Sequence, residues 1–172
     1  VAGQGTRLGE IPKSLMKIEG KTLLERHVGT LMSFVTQAVI VVTGFYAKDI
    51  RQQLEHHQVQ WVHNPQPELG QSSSVRLALE ELYKNHQSLD VIIMMLGDQP
   101  YLNASDLRQL IEHFKVMVTG QFLIPMVDGK RGNPVLLSGL ALKNIIEHSP
   151  DMTVRKYMDL YPELVSIWES SN

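Results

Sequence analysis

At 172 residues and 43% hydrophobic content, the chain has the size of one α/β domain and enough apolar residues for a sizeable core. A formal net charge of −2 argues against nucleic acid as a partner, because that footprint is a strongly basic face. No apolar run approaches a membrane span, no signal-peptide pattern is present, and the lack of cysteine excludes disulfides and thiolate metal sites, so a cytoplasmic setting without membrane contact is expected.

Almost at the first residue comes Gly3-Gln4-Gly5-Thr6-Arg7-Leu8-Gly9, followed by Pro12-Lys13. Glycines let backbone N–H groups approach a ligand with no Cβ in the way. A run of such groups makes a concave anion site, and cations beside it neutralise charge. Loop, arginine and lysine together outline a phosphate cradle; the plain alternative is a glycine-rich turn with two solvated cations. Two better-known glycine motifs do not fit. Leu8 stands where the dinucleotide fingerprint needs its third glycine, and Pro12 stops a helix from running out of the loop. Gly9-Glu10-Ile11-Pro12-Lys13-Ser14 has proline where a Walker loop needs glycine.

Thr22-Leu23-Leu24-Glu25 reads as a capping box opening a helix with the apolar stripe Leu23, Leu24, Val28, Leu31 and Phe34. Ala38 to Val42 is a β-branched run ending in Thr43-Gly44, suited to a strand covered on both faces. A polar helix over Ala47 to His57 and a short strand over Val59 to Val62 follow. Ser72 to Asn85 reads as a helix with a serine cluster at its start, and Asp90 to Leu96 as the most apolar strand, running into Gly97-Asp98. Asn103 caps the next helix, whose core stripe is Leu107, Leu110, Ile111 and Phe114. Phe122 to Val127 is a strand containing Pro125, expected at an edge or a bulge because proline lacks a ladder donor. After a turn over 128–133 come a strand from Pro134 to Leu137, helices near Leu140–Glu147 and Thr153–Asp159, and a closing strand from Val165 to Trp168.

This alternation predicts a mostly parallel sheet with helices on both faces, a three-layer α/β arrangement in one domain spanning residues 1–172. Ligands in such sheets collect outside the carboxyl ends of the strands. The glycine loop, Thr43-Gly44, Asn64-Pro65 and Gly97-Asp98 each follow an expected strand, so they are expected to share one rim. No nucleophile-base pairing and no clustered-histidine metal signature appears. Of the scattered histidines, His63 stands nearest that rim.

Four segments occur in an order that resembles a known family. They are Ala2-Gly3-Gln4-Gly5-Thr6-Arg7-Leu8-Gly9 with Pro12-Lys13; Asn64-Pro65 with Gly70-Gln71-Ser72-Ser73-Ser74-Val75-Arg76; Leu96-Gly97-Asp98-Gln99-Pro100; and Gly132-Asn133-Pro134-Val135-Leu136. Together they resemble the MobA-like NTP transferases, and within them the molybdenum cofactor cytidylyltransferase branch, over nearly the whole chain. That resemblance implies a Rossmann-like nucleotide-diphospho-sugar transferase fold. It also implies Mg²⁺-dependent transfer of a nucleotidyl group from a nucleoside triphosphate to a phosphorylated small molecule, with molybdopterin or the molybdenum cofactor as acceptor. A molybdoenzyme awaiting its cofactor is the partner it suggests.

Carried onto these positions, the resemblance gives Ala2, Gly3, Gln4, Gly5 and Thr6 to the nucleotide phosphates, Arg7 to the leaving pyrophosphate and Lys13 to the α-phosphate. Asp98 is the expected Mg²⁺ ligand. Asn64, Ser72, Ser73 and Ser74 are expected to serve base and ribose; Arg131, Gly132, Asn133 and Pro134 lie where the family binds the acceptor. The pair Ala2-Gly3 favours CTP, since the guanylyl relatives carry another glycine there. Gly5-Thr6 departs from the serine common in the cofactor branch and leaves open a sugar- or polyol-phosphate acceptor; a non-catalytic nucleotide-binding member is the remaining alternative. The family also carries an apolar strand before the loop and an Asp-x-Asp-Thr-Pro-like motif late in the chain, so both are expected beyond the residues seen here.

Overall fold

A computed structural model of the chain describes residues 12–35, 37–86, 88–99, 103–117, 120–127 and 129–169. It divides into two compact units: Val1–Glu81 with Gly97–Asn103, and Leu82–Leu96 with Ala104–Asn172.

The described part of the first unit opens on a 3-10 turn, Lys13–Leu15, and the hairpin β1 (Lys17–Ile18) and β2 (Lys21–Thr22). Glu19 and Gly20 both have positive φ, 53° and 84°, the mirror-image turn whose twist suits a two-residue hairpin. Helix α1 (Leu23–Met32) follows with the expected capping box. Glu25 N donates to Thr22 Oγ1 at 3.1 Å, and Thr22 N donates back to Glu25 Oε2 at 2.7 Å. The backbone and hydroxyl of Thr22 hold the Glu25 carboxyl below its ordinary value. The carboxylate therefore stabilises the fold above the usual carboxylate range, and that contribution is lost as pH falls through the depressed value. Thr22→Ala is expected to cost about 1 kcal/mol at neutral pH and to flatten the acid limb of the stability profile, read by thermal melts from pH 3 to 7. An acid limb unchanged by the substitution would contradict this assignment.

Beyond α1, β3 (Ile40–Thr43) and β4 (Gln60–His63) pair in parallel, with α2 (Ala47–Gln53) between them in sequence. Helix α2 stops short of the expected His57: Leu54 tucks inward at 1% exposure, and Glu55-His56-His57 offers nothing apolar to bury. Phe34 likewise falls outside α1, which is closed at Ser33 by that residue's hydroxyl on the Thr30 carbonyl. The unit's core is Leu24, Val28, Val41, Ile50 and Leu54, joined by Leu15, Tyr46, Val59 and Trp61. Helix α3 (Gln71–Asn85) begins in this unit and ends in the second.

In the second unit β5 (Val91–Met94), β6 (Phe122–Val127), β7 (Lys130–Arg131), β8 (Val135–Ser138) and β9 (Val165–Glu169) form one sheet. β8 is antiparallel to both β5 and β6, while β9 is parallel to β6. β5, β6 and β9 therefore share one direction, and the expected parallel character is interrupted by β8 and by the short β7. Val135, Leu136 and Leu137 are all buried, as a strand covered on both faces requires.

Of the two places expected for Pro125, an edge or a bulge, the edge is corrected: β6 is an interior strand with partners on both sides. The proline is tolerated because the ladder toward β8 stops at Leu123, and that toward β7 resumes at Met126. In this break the Pro125 carbonyl accepts from Gly132 N at 2.7 Å. An extended residue's N–H and C=O point the same way, so the missing donor faces the interrupted side and no bond to β9 is lost.

Helices α4 (Ala104–Val116), α5 (Gly139–His148) and α6 (Val154–Leu160) complete this unit. Leu110 and Phe114 of α4 pack with Leu123 and Leu136. Ser138 and Thr153 cap α5 and α6 through Ala141 N and Lys156 N, each at 3.1 Å. Among the described residues no helix is long and apolar enough to cross a membrane.

Candidate active site

In the first unit the parallel register sets Thr43 opposite His63, so Gly44 and Asn64 leave the sheet at the same edge. Asn64 N donates to the Thr43 carbonyl at 2.8 Å, closing that edge. The Asn64 side chain is 1% exposed, and its amide is spent on its own chain. Nδ2 donates to Ser73 Oγ and to Ser74 Oγ, both at 2.9 Å, and Oδ1 accepts from Gln66 N at 2.9 Å. Ser73 Oγ donates onward to the Gly70 carbonyl at 2.8 Å. Three of the four bonds an asparagine amide can make thus tie the strand end, the following 3-10 turn and the start of α3 into one piece.

The expected nucleotide-binding residues are therefore placed unequally. Asn64, Ser73 and Ser74 come together in this network, while Ser72 is exposed on the first turn of α3. Asn64→Ala would remove the acceptor of the Gln66 N–H and the donor to both serine hydroxyls, Ser73 keeping its bond to the Gly70 carbonyl, and we expect it to cost about 1–3 kcal/mol, read as a lowered melting temperature. A melting temperature unchanged by that substitution would mean the network carries no weight.

Lys13 sits on the 3-10 turn between buried Pro12 and buried Ser14, with its own side chain exposed. Leu15 N donates to the Pro12 carbonyl at 2.8 Å and Met16 N to the Lys13 carbonyl at 3.0 Å, and Leu15 packs on the Leu24–Val28–Val41 cluster. The ammonium is held out from an anchored turn.

Asp98 is exposed, on the turn after β5. Beneath it lies His27 of α1, 6% exposed. Burial pushes the His27 imidazole below its usual value, against the raising influence of the Gln99 backbone and the Asp98 carboxylate. A backbone group that raises a histidine is a carbonyl accepting from the ring. Nε2 of His27 is buried without a hydrogen-bond partner among the described residues, which leaves Nδ1 as the engaged nitrogen. In the sequence His27 is no more than one of the scattered histidines, outside the apolar stripe expected of this helix. His63, which the sequence points to, is exposed at the end of β4.

Among the described residues no group of three or more His, Cys, Asp or Glu could enclose a metal ion. A lone exposed carboxylate at Asp98 fits a different mode. Mg²⁺ keeps several waters and binds through one or two carboxylates plus substrate phosphates, without a protein-only cage.

The expected acceptor residues belong to the second unit. Arg131, at the end of β7, pairs with Asp159 at 2.6 Å, Gly132 is fixed through Pro125, and Asn133 leads into buried Pro134 and β8. Ala2, Gly3, Gln4, Gly5, Thr6 and Arg7 lie outside the described residues.

Residues 1–165 match the MobA-like NTP transferase domain. The chain belongs to that family. Among curated proteins, this MobA-like chain is 33% identical over 110 residues to the bifunctional protein GlmU of Aromatoleum aromaticum, covering 63% of the chain and 23% of GlmU. It thus spans about a quarter of that relative's length. Among solved structures, a nucleotidyl transferase from Methanothermobacter thermautotroptrophicus is 23% identical with TM-score 0.76, over 99% of this chain and 84% of the other. A manganese complex of Rv0371C from Mycobacterium tuberculosis H37Rv is 19% identical with TM-score 0.72, over 98% and 84%. The same fold recurs at lower TM-score in a CMP:2-keto-3-deoxy-manno-octonic acid synthetase complexed with CTP, 12% identical with TM-score 0.66 over 92% and 83%. It recurs also in the molybdopterin-guanine dinucleotide biosynthesis protein A of Archaeoglobus fulgidus, 19% identical with TM-score 0.62 over 98% and 80%. These likenesses bear out the α/β nucleotide-diphospho-sugar transferase fold.

Proposed function

We propose that this chain is a nucleotidyltransferase that moves the CMP group of CTP onto a phosphorylated acceptor, molybdopterin or the molybdenum cofactor, and releases pyrophosphate. The observation that carries it, within a family of NTP transferases, is a cation and a carboxylate each exposed on a fixed turn of the first unit. Lys13 stands between buried neighbours, and Asp98 stands over a buried histidine. An acceptor phosphate oxygen attacks the α-phosphorus, the bond to the β-phosphate breaks, and the charge leaves with pyrophosphate. A phosphate monoester has its second pKa at about 6, so it is already ionised and needs no strong base. Catalysis then rests on positioning and charge neutralisation.

In this reading Ala2, Gly3, Gln4, Gly5 and Thr6 hold the triphosphate with backbone N–H groups, and Arg7 takes the pyrophosphate through its planar fork. Lys13 neutralises the α-phosphate, Asn64 and Ser72–Ser74 serve the nucleotide, and Arg131, Gly132, Asn133 and Pro134 serve the acceptor. Asp98 holds Mg²⁺, which when bound neutralises phosphate charge. The Ala2-Gly3 pair supports cytidine, and a structural neighbour was solved with CTP. A polyol-phosphate acceptor is the second reading, favoured by Gly5-Thr6 and by the likeness to a 4-diphosphocytidyl-2C-methyl-D-erythritol synthase.

The test is a thermal-shift panel of the four NTPs with Mg²⁺, followed by pyrophosphate release with molybdopterin and with polyol and sugar phosphates. CTP should stabilise most, since a ligand that binds only the folded state raises its stability. A preference for GTP or ATP would overturn the base assignment, and release with polyol phosphate alone would favour the second reading.

A further inference from the structure

His27 occupies a place where a leucine or phenylalanine would pack at no polar cost. It lies on the buried face of α1 beside Leu23, Leu24 and Val28, and is 6% exposed. Its Nε2 is buried with no hydrogen-bond partner among the described residues, and leaving such a group unsatisfied is destabilising. The other side of the ring engages the Gln99 backbone, next to the exposed carboxylate of Asp98, whose charge the ring senses. A polar side chain kept in an apolar stripe at a cost implies that its one engaged nitrogen does something packing cannot. Here it fastens the turn bearing Asp98 to a helix that is itself locked by the Thr22–Glu25 capping box.

We propose that His27 is a positioning residue: by donating from its ring to the Gln99 carbonyl, it fixes the turn that presents the Asp98 carboxylate to the divalent cation of the nucleotide complex. This rests on the metal role proposed for Asp98 and adds the residue that orients it. Outer residues that orient metal ligands typically change metal affinity by about 10–100-fold when removed.

The experiment compares His27→Phe, which keeps shape without the donor, with His27→Asn, whose amide nitrogen can reproduce the Nδ1 donor. Mn²⁺ binding with CTP present is followed by EPR against a protein-free Mn²⁺–CTP blank, alongside the Mg²⁺ dependence of pyrophosphate release. His27→Phe should weaken Mn²⁺ binding and raise the half-activating Mg²⁺ concentration about tenfold. Its KM for CTP at saturating metal should stay within about twofold, and His27→Asn should recover to within about threefold. Should the phenylalanine variant fail to fold, His27→Leu takes its place. Metal binding within about twofold of the parent in a folded apolar variant overturns the inference, as does an equal loss in the asparagine variant. Asp98→Asn separates the two layers. If it loses Mn²⁺ binding while His27→Phe does not, only the role of His27 falls; if it binds Mn²⁺ as the parent does, the metal role of Asp98 falls and this inference with it.

Discussion

Asp98→Asn should lower kcat/KM for pyrophosphate release by about 10²–10³-fold while leaving the fold intact. The side chain is exposed, so its replacement by an amide of the same shape disturbs no core contact and should move stability by no more than about 0.5 kcal/mol. What is lost is charge. A hard cation prefers a carboxylate to a neutral amide, and the transferring phosphates then carry their negative charge without its full compensation. Because the defect is one of metal affinity, raising Mg²⁺ should recover part of the rate. An unchanged rate, or a loss that no metal concentration relieves, would show that this carboxylate does not serve the cation.

The largest effect on stability is expected at Gly139, far along the sequence from these residues. It opens α5 directly after the cap Ser138, and a Cβ there would meet the Leu89 backbone carbonyl well inside contact distance. Backbone cannot swing aside as a flexible side chain can. Leu89 leads into β5, and Ser138 is paired with Val91, so the strain falls on the β5–β8 ladder itself. Gly139→Ala should cost about 3 kcal/mol or more, a fall in melting temperature of roughly 6–12 °C for a chain of this length. Gly29, inside α1, makes the control. A Cβ there meets nothing within 4 Å among the described residues and its φ is not positive. Gly29→Ala should therefore be stabilising by about 0.5–1 kcal/mol. Equal melting temperatures for the two alanine variants would contradict the packing described.

Much of this was readable from residue order, for reasons that differ from element to element. The Thr22–Glu25 box is a local device, complete within four residues, and the helix begins where it says. The strand end at Thr43 is marked by a β-branched run giving way to Gly44, that at Asn64 by a short apolar stretch giving way to Pro65, and the parallel register does bring them to one edge. Pro125 pointed to an edge or a bulge, and the edge was wrong because the proline's local cost is avoided by a non-local arrangement, a break in pairing on one side of β6 that no single strand announces. The Asn64 amide was expected to serve the nucleotide; that it also binds Ser73, Ser74 and Gln66 depends on how the chain returns into α3, which spacing alone does not encode. His27 was hidden for the opposite reason. It sits at a core position of its helix, and its significance comes from a turn some seventy residues later.

The fate of the three phosphates decides most directly whether nucleotidyl transfer is the reaction. CTP labelled separately at the α- and γ-positions, incubated with the protein, Mg²⁺ and molybdopterin, should give α-label in the acceptor and γ-label in pyrophosphate, one for one, with neither appearing when the acceptor is left out. Gamma label recovered as inorganic phosphate, or α-label that never reaches any phosphorylated acceptor, would contradict it.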